Sequence, residues 1–262
     1  MRTRRRRGLA GKGGVADRRH SVYGLHAAAA VLARRAVEVE SAVVIEGALR
    51  GRLAELIATL QASGVPIERR SRRELDRLCN GGVHQGILLR VPPPSVGDLG
   101  ALEDLVADRG SLLRLLILDQ VEDPRNFGAC LRTADAAGID GVVVARARSA
   151  SLGDAALKAA AGAAEAVPIF AVPNLARALR GLSDAGVRLV GCDEHGERSH
   201  FDCELRSPLA IVLGAEGRGL RRLTRESCDE LVRIPMRGSV ESLNVSVAAG
   251  VVLYELVRQQ YR

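Results

Sequence analysis

Aromatic side chains are scarce in this chain of 262 residues, with three Phe, three Tyr and no Trp. Proteins that hold single-stranded nucleic acid by stacking bases on rings carry more of them, which argues against an RRM-like or OB-like reader. Cysteine is sparse and scattered: Cys79, Cys130, Cys192, Cys203 and Cys228 include no CxxC pair. A zinc ribbon or dithiol redox motif is therefore disfavoured, and the five read as small buried hydrophobes. No metal-ligand cluster is visible. No apolar run reaches the roughly 18 residues that a membrane helix needs. The opening MRTRRRRGLAGKGG has charge but no apolar stretch of the secretory type. The expectation is a cytoplasmic protein with no membrane partner.

What is present is a hydrophobic fraction of 47%, enough for a substantial core, and a net charge of +7. That charge is concentrated. Residues 1–20 hold Arg2, Arg4, Arg5, Arg6, Arg7, Lys12, Arg18 and Arg19 against Asp17 alone, so the rest of the chain is formally neutral. The sequence predicts a disordered basic arm over 1–20. Such an arm either favours a polyanion through counterion release or is simply solvated.

Beyond the arm, SVYGLHAAAAVLARR reads as a short turn and an Ala-rich helix, and VEVESAVVIEG as an extended segment. RGRLAELIATLQASG is an amphipathic helix ending at Gly64. VPIERR, SRRELDRLC and HQGILLRV then read as strand, helix and strand, closing a small α/β unit over 21–91. PPPSVGDLG carries the strongest linker signal, ALEDLVADRG follows as a short helix, and the linker is drawn over 92–110. From 111 to 262 short apolar strands alternate with helices, including LLRLLIL, GVVVA, VPIFAV, VRLVGC, PLAIVLG and LVRIPM. DAALKAAAGAAE reads as one helix and GLRRLTRESC as another. The alternation predicts an α/β fold with a mostly parallel sheet covered on both faces.

Ligands of open parallel sheets sit beyond the carboxyl ends of the strands, so the loops there matter first. In LDQVEDPRNFGACLRTADAAG, Pro124 fixes a turn, Asn126 is placed to cap a helix and Arg132 lies inside that helix. The neighbours of Arg132, among them Cys130, Leu131 and Ala134, suggest a mostly covered helix rather than a solvated face. In IVLGAEGRGL a buried-type strand runs into Gly214-Ala215-Glu216-Gly217-Arg218-Gly219. The glycines permit positive φ and close backbone approach. Their order is GxxGxG, not the GxGxxG of dinucleotide folds, and the N-terminal GLAGKGG lacks P-loop spacing. This disfavours a nicotinamide-dependent enzyme. In IPMRGSVESLNVSVAAG, Gly238, Ser239, Glu241 and Ser242 fill a loop before a long helix, with Asn244 or Ser242 as its cap.

Singly these segments are ordinary turns and caps. Together, in this order, they closely resemble the signature motifs of the SpoU family within the SPOUT superfamily of knotted methyltransferases. The segments VYGLHAAAAVL, VHQGILLRV and AAGAAEAVPIFAVPNLARALRGL resemble the subgroup acting on guanosine in 23S ribosomal RNA. The resemblance covers nearly the whole chain. It implies a C-terminal trefoil-knot α/β domain, a small N-terminal RNA-binding domain and a homodimer with its active site near the subunit interface. It also implies S-adenosylmethionine as methyl donor, no metal, and a structured ribosomal RNA hairpin as partner.

By family motif, Leu213, Gly214, Ile234, Met236 and Leu243 would contact the cofactor, largely through backbone and apolar atoms. Arg132, Asn126, Glu216, Ser242 and Asn244 would serve the transfer of methyl to a ribose 2′-hydroxyl. Arginine stays protonated, so the expected role of Arg132 is to position a phosphate and stabilise developing alkoxide charge, with the proton leaving to phosphate or water. Glu216 is expected to fix the loop rather than transfer the proton. A transfer-RNA ribose methyltransferase and a non-catalytic RNA-binding or ribosome-assembly factor on the same scaffold are the alternatives. The filled positions argue against the latter.

Overall fold

The computed structural model describes residues 20–147 and 149–261. Apart from His20, the expected basic arm lies outside the described residues. Two sheets organise the chain. The N-terminal sheet has the order β1-β4-β2-β3, from His20–Tyr23, Ile87–Val91, Ser41–Ile45 and Ile67–Arg70. The β1–β4 and β2–β4 pairs are antiparallel, whereas β2–β3 is parallel. α1 (Leu25–Arg35) and α2 (Gly51–Ala62) cover one face with Ala28, Val31, Ile57 and Leu60; Leu75 of α3 (Arg72–Leu78) packs against Val43 and Leu88 on the other. Ser71 and Glu74 form a capping box at the start of α3.

The expected turn before α1 is instead strand β1. Its partner β4 lies far along the chain, so local pattern did not display the pairing. A second departure concerns 92–110, expected as a linker. Val96–Gly97 form β5, which pairs parallel with β8 (Ile169–Val172), and Leu102 of α4 (Leu99–Arg109) is buried in the second core.

The larger sheet has eight strands in the order β10-β12-β9-β11-β6-β7-β8-β5, and its recorded pairings are all parallel. The new members are β6 (Arg114–Asp119), β7 (Gly141–Ala145), β9 (Arg188–Cys192), β10 (Arg198–Ser199), β11 (Leu209–Gly214) and β12 (Glu230–Arg233). Strand alternation divides each apolar run between two cores. Leu116 and Leu118 of β6 face one, with Leu131 of α5 (Pro124–Ala136) and Leu253 of α10 (Val245–Gln260). Leu115 and Ile117 face the other, with Leu179 of α8 (Leu175–Asp184).

The expected helix DAALKAAAGAAE is divided into α6 (Asp154–Ala160) and α7 (Ala163–Ala166), because Ala161 and Gly162 have φ of 51° and 96°. GLRRLTRESC forms only the short α9 (Arg222–Glu226). The two sheets' units meet where α1 passes α7. Arg35 donates to Glu165 Oε2 at 2.7 Å and to the Pro92 carbonyl at 3.2 Å, and His20 Nε2 lies 3.5 Å from Glu165 Oε1.

Candidate active site

Three loops converge beyond the carboxyl ends of β6, β11 and β12. The first begins with Asp123, whose side chain accepts from the amides of Arg125 and Asn126 at 2.7 and 2.9 Å. Asp123, not Asn126, is therefore the cap of α5. Pro124 sits at the first helical position, where its missing N–H costs nothing. This correction has a chemical consequence, since the Asn126 side chain is released from capping.

It reaches Glu216. Asn126 Nδ2 donates to Glu216 Oε1 at 3.1 Å, the Val245 amide donates to the same oxygen at 3.2 Å, and Asn244 Nδ2 donates to it as well. Asn244 Nδ2 also donates to Asn126 Oδ1 at 3.0 Å, closing a ring of three side chains. Asn244 is the cap of α10 through Oδ1, which accepts from the Ser246 amide and hydroxyl at 3.0 and 2.6 Å. Glu216 thus ties the glycine loop to both other loops and makes no ion pair among the described residues.

The glycine loop folds back on itself. The Gly219 amide donates to the Ala215 carbonyl at 3.0 Å, and a Cβ on Gly214 would stand 2.1 Å from the Gly219 carbonyl carbon. No side chain fits there without moving backbone.

Beside this ring lies a cavity of about 230 Å³ whose walls include Leu213, Gly214, Ile234, Met236 and Leu243. All five expected cofactor residues are therefore brought together. Glu216 and Ser242 border the same cavity, and so do the carboxylates Asp193, Glu194 and Glu241. A second cavity of about 230 Å³ holds Asn126, Glu216 and Arg218.

Sequence reasoning missed two buried carboxylates that hold the loop. Asp119, at the end of β6, accepts from the Arg221 amide at 3.1 Å and from Arg221 Nε at 2.6 Å. Asp193, just past β9, accepts from Arg225 Nε at 3.1 Å and from the His195 amide at 3.0 Å. Their signal was an aspartate ending an apolar strand, followed later by RRLTR. Burial pushes the Cys192 thiol, on the cavity wall, up to about 11.

Arg132 does not join the ring. It stands six residues after Asn126, about 9 Å further along α5. Buried neighbours surround it on the helix, yet its own side chain is exposed, against the expectation of a covered position. It lines a different and larger cavity of about 760 Å³ between the two units, facing His20, Tyr23, His26, Asn80 and Gln85.

An open parallel sheet with a cavity of mixed apolar and acidic lining and ordered polar groups at its carboxyl edge is the arrangement of a nucleotide- or nucleoside-binding α/β enzyme domain. Comparison with known proteins narrows the class. Residues 114–254 match the family described as the SpoU rRNA Methylase family, and residues 21–96 match RNA 2′-O ribose methyltransferase substrate binding. The chain is 47% identical over 239 residues to the Escherichia coli K12 23S rRNA (guanosine-2′-O-)-methyltransferase RlmB, covering 91% of this chain and 98% of that protein. It is 46% identical to the protein of the same name from Vibrio parahaemolyticus, over 91% and 96% of the two chains. Among solved structures, the SpoU methyltransferase AviRb from Streptomyces viridochromogenes, in complex with the cofactor AdoMet, superposes with a TM-score of 0.70. That match is at 26% identity and covers 93% of this chain and 91% of AviRb. The chain belongs to the SpoU rRNA methylase family.

Proposed function

We propose that the protein transfers a methyl group from S-adenosylmethionine to the ribose 2′-hydroxyl of a guanosine in 23S ribosomal RNA. The observation that carries this reading is the closed ring of Asn126, Glu216 and Asn244 beside a cavity at the strand ends lined by apolar side chains and carboxylates. The cavity suits the donor: Leu213, Ile234, Met236 and Leu243 offer apolar contact to an adenosine, and the nearby carboxylates suit a cationic sulfonium. S-adenosylmethionine supplies an electrophilic methyl group, and the reaction needs no metal. The protein's part is to orient an in-line approach and to make a weakly acidic hydroxyl more nucleophilic.

Asn126, Glu216, Ser242 and Asn244 order the loops and offer hydrogen bonds to ribose or cofactor. Arg132 grips the phosphate next to the target and stabilises charge developing on the 2′-oxygen. The proton leaves to phosphate or water. The unit over 21–91 binds the structured RNA, and that over 111–262 carries the reaction within a trefoil knot.

Two copies pair, with the site near their interface. Arg132 lies apart from the ring within one chain, as in a site that a second copy completes. The last helix and the residue that ends it also expose Val247, Tyr254 and Tyr261 at seven-residue intervals, 51%, 52% and 88% accessible, a stripe suited to a partner. Among the described residues no helix is long and apolar enough to cross a membrane. The protein acts in the cytoplasm.

The test is transfer of radiolabelled methyl groups from S-adenosylmethionine to separate pools of 23S, 16S and transfer RNA. Label is expected in 23S RNA, with a loss on the order of 100-fold or more for Arg132→Ala. Arg132→Lys is expected to recover little, because an ammonium lacks the planar fork. Label in transfer RNA alone would reassign the substrate. No label and no cofactor binding would leave an RNA-binding protein on this scaffold.

A further inference from the structure

We propose that Lys158 binds a backbone phosphate of the substrate RNA in the cleft between the two units, next to the group that Arg132 holds. This rests on the reading of the chain as an RNA methyltransferase. It adds a strand path and a residue that reading does not assign.

Lys158 is unusual in this chain. Of 38 basic residues only Lys12 and Lys158 are lysine, and Lys12 lies outside the described residues. Lys158 sits on α6 with its side chain exposed, and like Arg132 it makes no ion pair or side-chain hydrogen bond among the described residues. Packing holds the two helices that carry these cations close together. A Cβ on Gly128 of α5 would lie 2.2 Å from the Ala156 carbonyl and 2.7 Å from Ala159 Cβ, so α5 and α6 touch backbone to backbone there. Arg132 follows Gly128 by one helical turn on the same side. Lys158 lies on the exposed side of α6, away from that contact. Both line the same 760 Å³ cleft.

The opposite wall completes a surface for a polar, negatively charged strand. It presents His20, His26, Asn80 and Gln85, and Tyr23 as its one large ring. Two acids also border the cleft. Glu165 is already engaged by Arg35 and His20, which leaves it little charge to repel a phosphate. Asp154 stands one turn before Lys158 and is exposed, without an ion pair among the described residues. The cleft falls within the roughly 300–1,000 Å³ of ligand-sized sites, room for a nucleotide unit but not for a duplex. A guanidinium suits the bidentate contact beside the reacting ribose. An ammonium on a flexible stem suits a neighbouring phosphate as a point charge.

The experiment compares the full-length protein with Lys158→Ala and Lys158→Arg, using transcribed 23S RNA. Binding is measured across a potassium chloride series, and methyl transfer gives KM for RNA and for S-adenosylmethionine. Lys158→Ala is expected to raise KM for RNA about tenfold and to flatten the salt slope by about 0.7–0.9, one phosphate contact's worth. KM for S-adenosylmethionine should hold, and Lys158→Arg should restore most of the loss. Both variants should melt like the parent, since the side chain is exposed. An unchanged RNA KM and salt slope in an active enzyme overturns the proposal while leaving the activity standing. A shift in cofactor KM alone overturns it too. A parent protein that binds RNA but methylates none of it defeats the activity, and the salt series still decides the role of Lys158.

Discussion

The ring around Glu216 and the cleft around Arg132 are built on opposite plans. Among the described residues Glu216 is a carboxylate without a cation, and three N–H groups converge on one of its oxygens from two other loops. Among the described residues Arg132 and Lys158 are cations without a carboxylate partner, opening onto the 760 Å³ cleft. A ring whose hydrogen bonds are already made is fixed before anything binds, which is the preorganisation that a reaction site requires. Cations left without partners suit a ligand that brings its own negative charge. Under the proposed function, the difference separates the part that would shape the reaction from the part that would grip the substrate.

The largest expected effect breaks the first plan. Asn126→Ala and Asn244→Ala each remove a member of the ring, and each should lower the methyl-transfer rate on the order of 100-fold. They should differ in stability. Only Asn244 caps a helix, so only its loss should lower unfolding free energy by about 1 kcal/mol, read by denaturant titration. A near-parental rate in either variant would make the ring scaffolding rather than part of the site.

A middle-sized effect tests what holds the cleft's walls together. The Glu165 side chain is only 2% accessible and its main cation is Arg35. Arg35→Ala leaves that carboxylate buried with His20 alone and should cost about 3 kcal/mol. Cofactor binding, proposed for the other region, should be unchanged by calorimetry. A cost under about 1 kcal/mol would mean that other contacts between α1 and α7 rivet the units.

Most of the larger sheet was legible because strands buried on both faces of a parallel sheet read as continuous apolar runs, as RLLILD and LAIVLG do. β1 and β5 were not, since each is short and paired with a strand distant in sequence. The sequence PPPSVGD carries turn residues whether or not its middle joins a sheet. The split between α6 and α7 was hidden in an alanine run. It follows from packing: a Cβ on Gly162 would lie 2.5 Å from Ala27 Cβ in the other unit. At the site, the three loops and the cavity residues were readable from motif. The cap exchange from Asn126 to Asp123 was readable too, because Pro124 belongs at the first helical position. The separation of Arg132 from the ring was not, since both belong to one short motif and only the path of α5 sets them apart.

The smallest effect sharpens the comparison by supplying a carboxylate of the ordinary paired kind. Glu255 on α10 accepts from Arg258 at 2.7 and 2.6 Å and from Gln259 at 2.7 Å. The Arg258 hydrogen bonds hold its carboxyl below the usual range, against burial, which pushes it up; Gln259 adds to the lowering. A carboxyl whose pKa is depressed in the folded state stabilises the fold above its unfolded pKa, near about 4.3. That contribution is lost as pH falls through the folded value. Glu255→Gln should therefore narrow the stability lost between neutral and acid pH, with the two proteins converging at the acid end. Urea titrations at pH 7 and at successive steps below pH 4.5 would show it, and parallel curves for the two proteins would remove Glu255 from the acid response. The same substitution should leave methyl transfer at neutral pH unchanged. A carboxylate paired with a cation on the last helix contributes to stability, whereas under the proposed function one held by amides at the strand ends would serve the site.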